Sequence, residues 1–173
     1  LTLGAANSLG LNPESPARVD ATLPAGTVYT LTEGYLQWQH RYFLIRGPDQ
    51  IIDAPWIMAS DSRMKPSAYR GVYGEAYPFA DFEPLKDLIF IGLGIFDFNG
   101  RAEGTFTPTN LYIPGHAGGS GLGALAGQEA PGASAFALKY GQKGDNLNAQ
   151  VWWHQFVNFS QLWWLDANYV LKN

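Results

Sequence analysis

Few side chains in this sequence are suited to chemistry, and two of those that are fall in one stretch. Asp87 to Pro108 reads DLIFIGLGIFDFNGRAEGTFTP. Asn99-Gly100 predicts a tight type I′ hairpin turn there, because that turn needs positive φ at both central residues. Folding about it sets Phe98 against Arg101, Phe96 against Glu103 and Leu93 against Phe106. Strand alternation then puts Glu103 on a face with Phe90, Phe96 and Phe98, close to Arg101. A carboxyl against an aromatic wall holds its proton more tightly, which suits general acid–base work. Asp97 falls on the other face, with Ile89, Ile91, Leu93 and Ile95. The plainer reading is that Asp97 marks a solvated hairpin end and that Glu103 pairs with Arg101, and the residue types favour it.

The histidines are His40, His116 and His154. No HxH or HxxxH pair anchors a metal among them, so three unrelated histidines are expected. His40 is the second catalytic candidate after Glu103, because it shares a strand face with Trp38 and Tyr42. His116 opens the run GHAGGSGLGALAG, in which Gly121, Gly123 and Ala126 match a GxGxxA pattern. No strand precedes that run and no acidic residue follows at the ribose-binding distance, so a surface loop is the expectation rather than a phosphate cradle. There is no GxSxG elbow, and cysteine is absent, which removes disulfides and thiolate chemistry. No metal and no cofactor is expected.

Aromatic side chains carry the remaining signal, with Trp 6, Tyr 9 and Phe 10 in the chain. If they line a common cavity, Trp38, Tyr42, Phe96, Phe98, Trp152 and Trp163 are the candidate ligand-binding residues. Packed in a core, they do no more than hold the fold.

The elements that must position these residues read as strands. Residues 1–26 show no sustained period and are expected to be an arm or irregular lead-in, followed by one domain over 27–173. TVYTLT alternates, Glu33-Gly34 supplies a turn, and YLQWQHRYFLIRG alternates again as one long strand that Gly47-Pro48-Asp49 should end. Ala68 to Tyr73 and Ala133 to Tyr140 read as short strands, and His116 to Pro131 as loop. Gln150 to Leu171 fits a helix or a hairpin about NFSQ; mediocre helix formers favour the hairpin. The expected fold class is all-β and predominantly antiparallel, a single closed or nearly closed barrel with a Gly-rich loop. Its general look resembles that of the calycins, a likeness of architecture only.

At 173 residues the chain can bury a core without staples, and its charged share of 15% is sparse. A net charge of −4 and scattered Lys and Arg argue against a nucleic-acid partner. No uninterrupted apolar run reaches helical membrane-spanning length, so no transmembrane span is expected. The functional expectation is a barrel enclosing an apolar or aromatic small molecule. It either carries that ligand or acts on it as a cofactor-independent isomerase, cyclase or lyase, through pocket shape plus one acid or base. The alternatives are a carbohydrate-binding or adhesion module with exposed aromatics, and a structural subunit of a homo-oligomer or larger assembly. The compartment stays open: a chain starting at Leu1 fits secretion or organelle import after processing, and equally the cytoplasm.

Overall fold

The computed structural model describes residues 1–7, 29–57, 66–100, 104–108, 132–141, 145–158 and 160–171. Its strands are β1 (Thr2–Asn7), β2 (Tyr29–His40), β3 (Phe43–Gln50), β4 (Ala68–Ala76), β5 (Leu88–Asn99), β6 (Ala133–Tyr140), β7 (Leu147–Phe156) and β8 (Ser160–Tyr169). They form one eight-stranded antiparallel sheet in which spatial order follows chain order, β1 through β8. The all-β antiparallel class is therefore as the alternation implies. β1 and β8 do not pair among the described residues, so the described sheet is not closed. β1 lies within the segment 1–26, and the Gly-rich run lies outside the described residues.

The chain divides into two compact units. The first holds residues 1–36, 47–71 and 95–132. Here β1 pairs with β2 through Thr2↔Tyr35 and Asn7↔Tyr29, with a register shift where Gly4 faces Glu33 but Ala5 faces Leu31. Thr32 is the extra residue of this bulge, and its hydroxyl donates to the Gly4 carbonyl at 3.1 Å. The turn expected at Glu33-Gly34 does not form, since β2 runs through both residues and only this bulge interrupts their pairing, and a bulge changes which parity faces out. Tyr29 and Leu31 are exposed before it, and Leu36 is exposed after it, although Leu36 has the opposite parity. Ile52, Ile57, Ala68, Tyr69 and Ile95 are buried in this unit.

Asn99 explains why the tight hairpin expected at Asn99-Gly100 does not form. It is fully buried, and its amide donates to the Thr30 hydroxyl at 2.8 Å. The described non-glycine residues with positive φ are Trp56 and Asn158, not Asn99. Phe98 pairs with Thr107 through two 3.0 Å backbone hydrogen bonds, rather than with Arg101. The strand predicted over Ile89 to Phe98 is real, but its sheet neighbours are β4 and β6.

The second unit holds residues 37–46, 72–94 and 133–173. The single long strand expected from Tyr35 is interrupted at Arg41 and Tyr42, which form the turn between β2 and β3. A turn without Gly, Pro or Asn is invisible to alternation. Here it is held by Asp81, which pairs with the Arg41 guanidinium and accepts the Tyr42 hydroxyl at 2.6 Å. β3 then runs through a cis Gly47-Pro48 bond to Gln50, so that proline does not end the strand.

β6 occupies Ala133–Tyr140, the stretch alternation indicates, and β7 and β8 form the hairpin expected of the C-terminal stretch. Asn158 takes positive φ (61°) in the turn, a conformation that asparagine tolerates better than most residues. Ile91, Leu93, Ala133, Ala135, Ala137, Trp152 and Phe156 are buried in this unit.

Candidate functional site

Register in the second unit sorts β6, β7 and β8 onto two faces, because directly opposed residues share a face. Ala133, Ala135, Ala137 and Lys139 oppose Phe156, His154, Trp152 and Gln150; these in turn oppose Ser160, Leu162, Trp164 and Asp166. This face also carries Asn148 opposite Asn168. It holds the strands' charged side chains and a stacked ring ladder, Trp152–His154–Phe156, with centroids 5.6 and 6.0 Å apart.

The other face is apolar along most of its length. Phe136, Trp153 and Trp163 form one lateral row, and Leu138, Val151 and Leu165 form the next. Phe136 and Trp153 stack with centroids 5.8 Å apart. Phe136 is 60% exposed, Trp163 73% and Leu165 76%. A large apolar surface left bare is unusual for a protein in water and marks an interaction surface.

On the polar face a cleft of about 680 Å³ is lined by Ile89, Lys139, Asn148, Gln150, Asp166 and Asn168, among others. The Asn168 amide donates to Asn148 Oδ1 and to both Asp166 oxygens, each at 3.3 Å. Trp152 Nε1 donates to Gln150 Oε1 at 3.0 Å. Elsewhere in this unit the Arg46 guanidinium lies 4.5 Å from the centre of the Tyr73 ring. Glu75 accepts from the Tyr73 hydroxyl at 2.5 Å and also from the Tyr77 hydroxyl. Tyr77 lies just past the end of β4, where burial, and then the Glu75 carboxylate, push its phenol up to about 12.

The first unit has its own charged cluster. Arg70 holds Asp49 in a two-pronged pair, with Nε at 2.7 Å and Nη2 at 3.1 Å, and reaches Asp97 at 3.6 Å. Its guanidinium lies 4.5 Å from the centre of the Phe106 ring. Asp97 thus has a cation partner that the sequence pattern did not suggest. No group of three or more His, Cys, Asp or Glu side chains suited to a metal ion occurs among the described residues.

The residues singled out from sequence are scattered. Trp152 is 3% exposed, and it lies on the opposite face of the β7–β8 hairpin from Trp163. Trp38 is 69% exposed and meets Phe43 edge-on at 5.1 Å. His40 is exposed, with its ring near those of Tyr42 and Phe43. In the first unit Phe96 is 55% exposed and Phe98 packs on Tyr69 at 5.3 Å. Glu103, Arg101 and His116 lie outside the described residues. Lys139, Asn148, Gln150 and Asp166 were missed. Their alternation with apolar neighbours was the available signal, but alternation does not say which face is wet.

No protein-family model matches the chain, and no curated protein does. Solved structures do match its fold. OccAB4 of Acinetobacter baumannii superposes with a TM-score of 0.68 at 15% identity, over 90% of this chain and 37% of that one. OpdK of Pseudomonas aeruginosa, solved with vanillate, gives 0.66 at 11% identity over 94% and 38%. A BenF-like porin from Pseudomonas fluorescens Pf-5 gives 0.64 at 12% identity over 85% and 34%.

The eight-stranded antiparallel sheet matches part of a porin barrel. The chain spans little more than a third of the length of these neighbours. This likeness overturns the expectation of a barrel enclosing an apolar or aromatic ligand, with its isomerase or cyclase activity and hydrophobic pocket, and the adhesion and assembly-subunit alternatives with it. The physical reason is that Trp38, Phe96 and Trp163 are exposed, while the cleft on β6–β8 carries Lys139, Asn148, Gln150, Asp166 and Asn168. The expected apolar partner and the absence of a membrane span are corrected likewise. That expectation rests on the lack of a long apolar helical run. No described helix is long and apolar enough to cross a membrane, which says nothing of strands.

Proposed function

We propose that this chain forms part of the wall of a transmembrane β-barrel channel that passes small polar solutes. The observation carrying this reading is the sorting of β6–β8 into an exposed apolar face and a face holding Lys139, Asn148, Gln150, Asp166 and Asn168. A water-filled barrel in lipid needs that arrangement, apolar outward and polar inward. At 10 residues each, β7 and β8 have the length a tilted spanning strand requires, about 9–11 residues. The row Phe136–Trp153–Trp163, followed by the polar row Ser134–Gln155–Gln161, fits an aromatic belt at the edge of the hydrocarbon.

In this reading the eight strands are an arc of a wider barrel, rather than the self-closed, calycin-like barrel expected from sequence. The neighbour solved with vanillate, a small carboxylate, makes such solutes the first class to test. The protein is purified from membranes in detergent and reconstituted into planar bilayers and liposomes. Stepwise conductance and swelling in small carboxylates are expected. Recovery as a monodisperse protein in detergent-free buffer, with no conductance on reconstitution, overturns the reading.

A further inference from the structure

The polar face of β6–β8 carries a charge arrangement that general solute passage leaves unused. Lys139, Gln150 and Asp166 stand in one lateral row, since Lys139 opposes Gln150 and Gln150 opposes Asp166. All three line the same cleft of about 680 Å³. With neighbouring strands ~4.8 Å apart, the backbones at Lys139 and Asp166 are separated by roughly 10 Å.

Among the described residues neither charge is neutralised by an opposite one. The ion pairs among the described residues involve Arg41, Arg70 and Lys86, not Lys139, and none involves Asp166. The Asp166 carboxylate accepts from the Asn168 amide at 3.3 Å, and that neutral donor leaves the negative charge in place. Gln150 sits between the two charges with its oxygen engaged by Trp152 Nε1, so its NH₂ remains to donate.

A cleft with one sign of charge selects a simple ion. This one presents both signs at the two ends of one lateral row, with amides between and beside them. It is complementary to a solute that carries its own two charges in the reverse order. Each charge of such a solute exchanges water for a charge-assisted hydrogen bond, whereas a singly charged solute leaves one cleft charge without a partner.

We propose that this cleft is a binding site for short zwitterionic solutes, with the solute's carboxylate at Lys139 and its ammonium at Asp166. The proposal rests on the channel reading, in that it makes this face the solute path.

The test uses the whole protein in detergent micelles. Affinities are measured for three probes of similar size: β-alanine, which carries both charges, propionate, which carries the negative one, and ethylammonium, which carries the positive one. β-Alanine is expected to bind at least tenfold more tightly than either singly charged probe. Lys139→Gln and Asp166→Asn are each expected to remove that advantage, and the exchange K139D/D166K to restore part of it. Equal binding of propionate and β-alanine, with no effect of Asp166→Asn, overturns the proposal in favour of a simple anion site. Absence of β-alanine binding also overturns it. Conductance in potassium chloride, recorded on the same preparation, reports separately on the channel reading. If either single variant fails to fold, the comparison of three probes on the unaltered protein still decides.

Discussion

Trp153 stands directly opposite Trp163 across the β7–β8 hairpin, on the exposed apolar face, while its sequence neighbour Trp152 turns to the other face and is 3% exposed. The pair therefore reports on what covers the outer face. Quenching of tryptophan emission by lipids brominated on their acyl chains is expected in reconstituted protein. Trp163→Phe should reduce the quenched fraction and Trp152→Phe should not. Equal effects of the two substitutions would remove lipid as the covering medium.

Arg70 and Asp49 make the tightest ion pair of the first unit, and Asp49 is buried. Removing the cation leaves that carboxylate without compensation. Arg70→Met is expected to cost about 1–3 kcal/mol in denaturant unfolding. The double change R70M/D49N should recover part of the loss, because the orphaned charge goes with it. Additive losses would show that the two residues act independently.

Gly141 has a φ of 71°, and a Cβ there would lie 2.3 Å from the Leu147 carbonyl oxygen. Gly141→Ala should destabilise the fold by roughly 1–3 kcal/mol or more, through strain and backbone overlap. Gly94 provides the control, since a Cβ there would meet no atom within 4 Å. Gly94→Ala should leave the unfolding midpoint unchanged within about 0.5 kcal/mol.

The phenol of Tyr77 should lose its proton near pH 12 in the folded protein. Its pKa is raised relative to the unfolded chain, where a tyrosine titrates near 10. The stability it contributes is therefore complete below about pH 10 and is lost as pH rises from there through 12. The difference in absorbance at the phenolate band between the protein and Tyr77→Phe reads this directly. A titration of that difference centred near pH 10 would contradict the part-buried contact with Glu75.

Sequence alone determined the class of structure and several of its parts. Alternation made β6 over Ala133–Tyr140 legible, and mediocre helix formers tipped Gln150 to Leu171 from a helix to the hairpin of β7 and β8. Tertiary structure decided the turns that neither glycine nor proline marks. Asp81 holds the turn at Arg41 and Tyr42, and Thr30 draws Asn99 inward at the position where local chemistry favours a tight turn. It also decided which face is which. Alternation shows that Trp152 and Trp153 point to opposite sides, but it is blind to the medium on each side. From sequence the aromatics fit a pocket wall, an exposed strip or a packed core alike. Register across three strands instead puts Phe136, Trp153 and Trp163 together on the exposed face, and Lys139, Gln150 and Asp166 together on the other. Such rows form between residues distant in the chain, so local pattern cannot encode them.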